Sequence, residues 1–277
     1  MTQLPKPRTL LNSSLMKKLI SLIIALLPLA AFAQGTVNDL ETEFGSRIGV
    51  SVNKKIVKGL HVVADGEARL TDNFSSFGRY QMGLGVTYKI SPAFKVGAGY
   101  QFIEKLNSSS EWKMRHRFYA DASATLRAGD WRFTLKERLQ LTHRDVNNVF
   151  QNNPNSLALK SRFKVTYRGL TNLTPYGYVE VRNVFNDPSC SATWSNTSLT
   201  YTDYSFTGYT DAYVNRLRGA LGAEWKLSKH HALDFYLLGD YCYDKNIDTN
   251  SSGTTLKSLT YDQTFKTSLC IGYQFSF

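Results

Sequence analysis

The sequence predicts an all-β fold, a transmembrane antiparallel β-barrel of about 10–12 strands with short periplasmic turns and longer extracellular loops. Three observations support this prediction. Apolar or aromatic side chains recur at every second position over stretches of about a dozen residues. Short turns and longer polar loops alternate between these stretches. No segment after Gln34 shows convincing helical periodicity, and a sheet in hydrocarbon must close on itself because every backbone N–H and C=O needs a partner.

The first element in chain order is an export signal. From Met16 the chain reads MKKLISLIIALLPLAAFAQG, with two lysines, an apolar stretch over residues 19–29 and a small-residue pattern at 31–33. This order is typical of a secretory signal peptide, here cleaved before Gln34. The apolar stretch is shorter than the roughly 20 residues of a membrane-spanning helix. We therefore expect residues 1–33 to be an upstream extension and signal peptide with its functional start at Met16, and the mature protein to reside in the outer membrane.

The barrel strands follow in the mature chain. An N-terminal segment, residues 34–40, precedes a barrel predicted over residues 41–277. Strands are predicted at 41–54, 59–71, 77–90, 93–105, 112–127, 130–144, 156–168, 174–186, 211–227, 231–243 and 258–277. Longer loops are predicted at 72–76, 106–111, 145–155, 187–210 and 244–257. With the short turns in the periplasm, the first and last strands run in the same direction and the count is eleven. Either residues 34–40 thread up through or beside the barrel, or the count is wrong by one.

The alternation alone does not tell which face of each strand points outward. A soluble barrel or sandwich would bury the apolar face and expose the charges. Here the polar face carries many long charged side chains interrupted by glycines, and Tyr100, Trp131 and Trp225 lie near strand ends, as in the aromatic girdles of membrane barrels. These features favour the membrane barrel. The glycines at positions 83, 85, 97, 99, 219 and 222 are expected to mark strand curvature or to leave room for bulky neighbours across the lumen.

Several segments together resemble a known family. They read FGSRIGVSVNKKI, VADGEARL, YQMGLGVTYKISPAFKVGAGYQF, RHRFYADASATL and WRFTLKERLQL. Through them most of the mature chain resembles an uncharacterised family of outer-membrane β-barrels from Bacteroidota, domain of unknown function 2490. The resemblance implies a fold and a location but no reaction. The terminal residues Tyr273, Phe275 and Phe277 look like the signal that the barrel assembly machinery of the outer membrane recognises, so this machinery and outer-membrane lipids are the expected partners of a monomer.

The polar face predicts a basic lumen. Its predicted basic cluster is Arg69, Arg79, Arg115, Arg117, Arg138, Arg162, Arg182, Arg216 and Arg218. Ten more bases share this face: Arg47, Lys89, Lys95, Lys113, Arg132, Lys136, Lys160, Lys164, Lys226 and Lys266. The predicted acidic partners are Asp65, Glu67, Asp121, Glu180, Glu224, Asp234 and Asp240. Seven acids can pair with at most seven of these nineteen bases. The charges either form ion pairs that fill a narrow barrel or make an interior that favours anions.

No complete catalytic constellation emerges from the spacing. Three polar residues, His116, Glu137 and Ser161, interrupt the lipid-facing side of consecutive strands and could suggest a lipid hydrolase. A two-residue turn at 129–130 places His116 opposite His143 and leaves Glu137 six residues further along the barrel wall. That separation is roughly 20 Å at about 3.4 Å per residue, which is beyond hydrogen-bond reach. We therefore expect no catalytic residue, no cofactor and no metal.

The charge of the whole chain narrows the choice of function. The formal net charge is +11, and removing the four bases and no acids of residues 1–33 lowers it to +7. Nucleic-acid binding is not expected, because the charges alternate singly with lipid-facing residues instead of forming a patch. We expect a non-enzymatic narrow channel or envelope scaffold with a basic lumen. The alternatives are an outer-membrane lipid hydrolase or protease and a surface binding protein that acts through the loop at 187–210.

Overall fold

The computed structural model describes residues 36–107 and 110–277, which form eleven strands in one closed barrel. The strands are β1 (Thr36–Val57), β2 (Leu60–Thr71), β3 (Ser76–Lys89), β4 (Phe94–Leu106), β5 (Trp112–Ala128), β6 (Trp131–Arg144), β7 (Asn155–Tyr167), β8 (Leu173–Ser195), β9 (Thr200–Lys226), β10 (His231–Thr249) and β11 (Leu256–Ser276). The described ranges include no helix of the length and apolarity needed to span a membrane. The signal peptide and upstream extension predicted at 1–33 lie outside the described residues.

The barrel closes between its first and last strands. Strands that are adjacent in the sequence pair antiparallel, but β1 and β11 pair parallel, with Phe44 beside Thr267 and Arg47 beside Cys270. The predicted antiparallel β-barrel of about 10–12 strands is confirmed: it has eleven strands, and the pairing is antiparallel except at this one seam. With an odd number of strands of alternating direction, the first and last must run the same way. Residues 36–40, predicted to precede the barrel, form the beginning of β1 and pair with β11.

The two ends of the barrel differ in their connections. At the short-turn rim, β5 joins β6 through only Gly129 and Asp130. Gly129 has a φ of 57° there, a left-handed conformation that glycine adopts readily. The turn places His116 opposite His143, as the sequence predicts. The opposite end, where β6 joins β7 through residues 145–154, is the long-loop rim.

Alternation along each strand separates an apolar outer face from a polar interior. In β5, Met114 and Phe118 point outward and are 47% and 55% exposed. Their neighbours Arg115 and Arg117 point inward and line an internal cavity. The same division recurs around the barrel, so the core of the molecule is its lumen.

β8 and β9 extend beyond the long-loop rim as a hairpin. The loop predicted at 187–210 is therefore wrong, since the two strands continue through it and leave only residues 196–199 as the tip. Threonine, tyrosine and tryptophan favour strands, and they supply cross-strand pairs such as Trp194 with Tyr201, whose ring centroids are 5.0 Å apart. The loop predicted at 244–257 is shortened in the same way by β10 and β11.

Candidate functional site

The part of the lumen nearer the short-turn rim contains a layer of aromatic side chains. This tyrosine layer consists of Tyr119, Tyr176, Tyr178 and Tyr236. Tyr178 and Tyr236 pack against Leu238, which is completely buried. The Tyr176 hydroxyl donates a hydrogen bond to Asp234 at 2.8 Å. Partly buried tyrosines and a buried leucine thus occupy the interior at this level.

Charged side chains in this layer are paired and stacked on the rings. Three bases lie over ring centroids at 3.9, 4.3 and 3.5 Å: Arg138 over Tyr119, Arg162 over Tyr178 and Lys164 over Tyr176. Arg138 also donates two hydrogen bonds to Asp121, at 2.6 and 2.8 Å. Lys136 lies 2.9 Å from the same carboxylate. Cation–π contacts and two-point arginine pairs of this kind stabilise a packed interior.

Glycines on nearby strands of the wall make room for two of the tyrosines. A Cβ atom at Gly85 or Gly99 would lie 2.5 or 2.4 Å from the hydroxyl oxygen of Tyr119. A Cβ atom at Gly222 would lie 2.4 Å from Cβ of Tyr236. The three glycines thus leave space for bulky side chains, as expected, but these side chains come from nearby strands of the wall and not from across the lumen. Gly219 differs, because no atom lies within 4 Å of the space that its Cβ would fill.

A buried ion-paired floor lies next to the tyrosine layer, towards the long-loop rim. It consists of Glu180, Arg218 and Asp240, which are 3%, 7% and 2% exposed. Arg218 donates to Asp240 at 2.7 Å and to Glu180 at 3.4 Å. Asp240 lies 3.4 Å from Arg47 and 3.6 Å from Arg216. Three arginines, one from β1 and two from β9, thus share one carboxylate.

Between this floor and the long-loop rim lies a cavity of about 210 Å³, which we call the basic cavity. Its charged lining has twelve bases and two acids. The bases are Arg47, Arg69, Arg79, Lys105, Arg115, Arg117, Arg144, Lys160, Arg182, Arg216, Arg218 and Lys266, and the acids are Glu43 and Asp240. Neutral donors, including Gln140 and Thr142, complete the wall. The cavity is therefore strongly positive.

Seven of these bases have no carboxylate within 4 Å in the described part of the chain. They are Arg79, Lys105, Arg115, Arg117, Arg144, Lys160 and Arg182. Some of them reach neutral acceptors instead: Arg117 donates to Thr142 at 3.0 Å and Arg79 to Gln81 at 2.5 Å. The Nε atoms of Arg79, Arg115 and Arg182 are buried and have no hydrogen-bond partner among the described residues. These seven residues are called the unpaired bases below.

The predicted basic cluster divides between the two levels. Arg69, Arg79, Arg115, Arg117, Arg182, Arg216 and Arg218 line the basic cavity, whereas Arg138 and Arg162 belong to the tyrosine layer. Among the predicted acidic partners, Glu67, Asp121, Glu180 and Asp240 pair with bases. The described residues place no base within 4 Å of Asp65, Glu224 or Asp234. Asp65 accepts a hydrogen bond from Gln101 at 3.5 Å instead.

Three charged residues of the cavity are missing from the predicted lumen. Lys105 of β4 and Arg144 of β6 lie at the strand ends, and Glu43 lies near the start of β1. Each has the same parity as lumen residues of its own strand, such as Lys95 in β4. Extending the alternation to the ends of the strands would have identified all three. The tyrosine layer is also missing, since tyrosine is as common in membrane girdles as in interiors.

The three polar residues on the outer face do not form a single cluster. Glu137 and Ser161 are cross-strand neighbours, and the Ser161 hydroxyl donates to the Glu137 carboxylate at 2.6 Å. His116 instead lies 2.7 Å from the hydroxyl of Tyr100, and His143 lies 2.9 Å from Asn155. Within residues 36–107 and 110–277, no three His, Cys, Asp or Glu side chains are grouped so that they could hold a metal ion.

The last strand ends at the short-turn rim in an aromatic cluster. The rings of Phe275 and Phe277 are 5.1 Å apart, and the ring of Phe275 lies 5.0 Å from that of His231. His231 also contacts the hydroxyl of Tyr273. The backbone of Phe277 donates to the carbonyl of Asn53 at 3.0 Å, so the end of the chain is paired with β1. The predicted assembly signal is thus part of the barrel wall.

One family model matches the chain. It carries the description "Protein of unknown function (DUF2490)" and matches residues 46–251, which is more than half of the sequence. The match extends from β1 into the turn that follows β10 and contains eleven of the twelve bases that line the basic cavity. Among curated proteins, none matches this chain.

Proposed function

The chain belongs to this family of proteins of unknown function, and from its barrel we propose that it is an integral outer-membrane protein, non-enzymatic and monomeric, whose lumen holds anions without forming an open channel. The proposal selects the scaffold and binding form of the predicted function over the channel form. It has three parts: insertion in the membrane, a closed lumen and the absence of catalysis.

The apolar outer face carries the proposal. Large apolar side chains point away from the lumen all around the barrel, with Leu221 73%, Met82 64% and Leu269 60% exposed. Water-soluble monomers rarely expose apolar patches larger than a few hundred Å². A continuous apolar band around a polar interior is what hydrocarbon requires of a membrane barrel. The outer face therefore fits a lipid environment.

Aromatic residues at both rims also support insertion in a membrane. At the short-turn rim, the rings of Trp131 and Tyr167 lie 5.0 Å apart. At the long-loop rim, Trp112 packs against Tyr80 and Phe77 at centroid distances of 5.4 and 5.7 Å. Such rings lie at the headgroup level of a bilayer. We place the short-turn rim in the periplasm, where Tyr273, Phe275 and Phe277 meet the assembly machinery.

The non-enzymatic part of the proposal rests on the outer-face residues. Glu137 and Ser161 bond to each other, but His116 is held by Tyr100 on the neighbouring strand. A serine hydrolase needs its base within hydrogen-bond reach of the nucleophile. The described geometry therefore supports a binding or scaffold role.

Fractionation of cells that express the full chain tests the proposal. We expect the protein in the outer-membrane fraction, extracted only by detergent, and with a gel mobility that changes when the sample is boiled, because a membrane barrel unfolds only on heating. A mature protein that is monodisperse in buffer without detergent would contradict membrane insertion.

A further inference from the structure

We propose that the basic cavity is a binding site for a compact, multiply charged phosphate-type anion such as pyrophosphate. The inference rests on the proposed function, because only a barrel enclosed by membrane confines the positive charge to a cavity reached from its long-loop end. Because the closed sheet separates the cavity from lipid, the ligand is a freely diffusing anion and not a lipid headgroup.

The charge imbalance of the cavity favours anions. Twelve bases and two acids line a space of about 210 Å³. Positive charges a few ångströms apart repel strongly where the dielectric constant is low. Burial of an unpaired charge is costly unless a counter-charge lies beside it. Since the described residues supply too few carboxylates, small anions from solution can neutralise the excess.

The unpaired bases converge on one region of the cavity. Arg117 experiences the like charges of Arg182, Arg69 and Arg115. Lys160 experiences those of Arg117 and Arg182. Arg69 is ion-paired and lies on β2, whereas Arg115 and Arg117 lie on β5, Lys160 on β7 and Arg182 on β8. All seven unpaired bases lie on β3 to β8, so they occupy one contiguous part of the cavity wall. A single anion placed between them would contact several bases at once.

The donors in the cavity match a phosphate group. Nine of the twelve bases are arginines, whose planar guanidinium donates two parallel hydrogen bonds to an oxyanion. The buried Nε atoms of Arg79, Arg115 and Arg182 lack acceptors in the described part of the chain. Each unsatisfied buried donor costs free energy. The terminal guanidinium nitrogens of the same side chains line the cavity and can donate to phosphate oxygens.

The size of the cavity limits the ligand. A volume of about 210 Å³ corresponds to about seven water molecules at roughly 30 Å³ each. Such a space accepts phosphate, pyrophosphate or an anion of similar size, and it excludes a polymer. The combination of high charge and small volume therefore selects compact anions with more than one negative charge.

Residues 145–154 connect strands at the long-loop rim. In this loop, Asn148 donates to Thr249 at 3.1 Å and Gln151 donates to Asp248 at 2.9 Å. Thr249 and Asp248 belong to β10, which is three strands away from β7 around the barrel. Arg144, one of the unpaired bases, donates to the backbone of Asn153 at 3.3 Å. The loop thus bridges strands at the long-loop rim and is tied to the cavity wall.

Isothermal titration calorimetry of the detergent-purified barrel tests the inference. The protein is prepared in phosphate-free buffer of low ionic strength and titrated with pyrophosphate. We expect saturable binding of one anion per barrel that weakens as salt is added. The double variant Arg115→Gln/Arg117→Gln is expected to bind about tenfold more weakly or worse, since it loses two charge-assisted contacts.

A matched variant separates a built site from general positive charge. Arg127 and Arg168 are exposed at the short-turn rim, outside the cavity. The control Arg127→Gln/Arg168→Gln removes the same charge and is expected to bind as the wild type does. Lys160→Gln provides a second cavity variant if the double variant does not fold, and heat-modifiable mobility identifies the folded samples.

Three outcomes would overturn the inference. They are no saturable binding to folded wild-type protein, equal weakening in the cavity and control variants, and citrate binding as tightly as pyrophosphate. Each of these leaves the membrane barrel itself intact. Failure of membrane insertion, in contrast, appears in the fractionation experiment as a protein that needs no detergent.

Discussion

The two levels of the lumen use the same residue types in opposite ways. In the tyrosine layer, Arg138 and Arg162 have carboxylates at 2.6 and 2.5 Å and aromatic rings beneath them. In the basic cavity, Arg115 and Arg182 have no carboxylate within 4 Å among the described residues and leave buried Nε atoms unsatisfied. The paired bases are part of the packing. The unpaired bases keep their hydrogen-bonding capacity for a ligand.

This difference indicates where stability and function lie. A sequence selected for stability alone would pair or replace buried charges, because a well-packed apolar group is often as stable as an ion pair. Departures from that rule occur at functional sites and are compensated elsewhere. Here the floor formed by Glu180, Arg218 and Asp240 separates the two levels. The paired charges that stabilise the barrel lie on the tyrosine-layer side of the floor. The unpaired bases lie on the side of the basic cavity.

The largest expected effect comes from opening the tyrosine layer. Planar bilayers containing the wild-type protein should show no steady current in asymmetric KCl, because Tyr178 and Tyr236 fill the lumen around Leu238. The variant Tyr178→Ala/Tyr236→Ala should conduct and select anions, since a ring of bases attracts negative solutes. Adding Arg115→Glu, Arg117→Glu and Arg138→Glu should reverse the sign of the reversal potential.

The outer face offers the control for this experiment. Tyr88 is 49% exposed on the outside of the barrel. A bilayer that contains the Tyr88→Ala variant should therefore show no steady current. Steady conductance of the wild type would show that the lumen is open. Cation selectivity of the widened variant would contradict the positive potential of the cavity.

The second effect tests the floor. Asp240→Asn removes the carboxylate shared by Arg47, Arg216 and Arg218. We expect a loss of about 3–5 kcal/mol in the free energy of unfolding, because buried charges are left without a partner. Urea unfolding of the refolded barrel, followed by tryptophan fluorescence, measures the change. Asp130→Asn in the exposed β5–β6 turn should change stability by less than about 0.5 kcal/mol, and a comparable loss in both variants would contradict the role of Asp240.

Much of the fold follows from the alternation of the sequence. A period of two defines both the strands and their faces, and the tight turn at Gly129 fixes the register that brings His116 opposite His143. The hairpin that β8 and β9 form beyond the long-loop rim was harder to predict from the sequence. Its Ser, Thr and Tyr residues are as common in polar loops as in strands exposed to water on both faces. Pairing along 187–195 includes several register shifts that local pattern does not predict.

The sequence predicts which residues of the site face the lumen, but not which of them form ion pairs. Parity assigns Arg47, Arg218 and Asp240 to the lumen, and Asp240 lies opposite Arg218 on the neighbouring strand. The contact of Arg47 with Asp240, in contrast, depends on the parallel seam between β1 and β11. Strand tilt and register shifts then decide which charges lie at one level. The division into paired and unpaired bases therefore requires the closed barrel in three dimensions.

The smallest expected effect compares one base from each level. Arg138→Met, in the tyrosine layer, should lower the free energy of unfolding by about 2 kcal/mol, because it removes two charge-assisted hydrogen bonds to Asp121. Arg115→Met, in the basic cavity, should raise it by about 1 kcal/mol at low ionic strength, because it removes a partly buried charge that has no carboxylate partner. Urea unfolding in phosphate-free buffer measures both changes.

Pyrophosphate is expected to reverse the order of stability of the wild type and Arg115→Met. An anion that binds only the folded barrel stabilises it by an amount that grows with its concentration. Saturating pyrophosphate should therefore raise the stability of the wild type more than that of Arg115→Met, until the wild type is the more stable protein. The same addition should leave the deficit of Arg138→Met nearly unchanged, since Arg138 lies below the floor and does not line the cavity. If Arg115→Met were destabilising without pyrophosphate, Arg115 would belong to the packing, and the contrast between the two levels would be wrong.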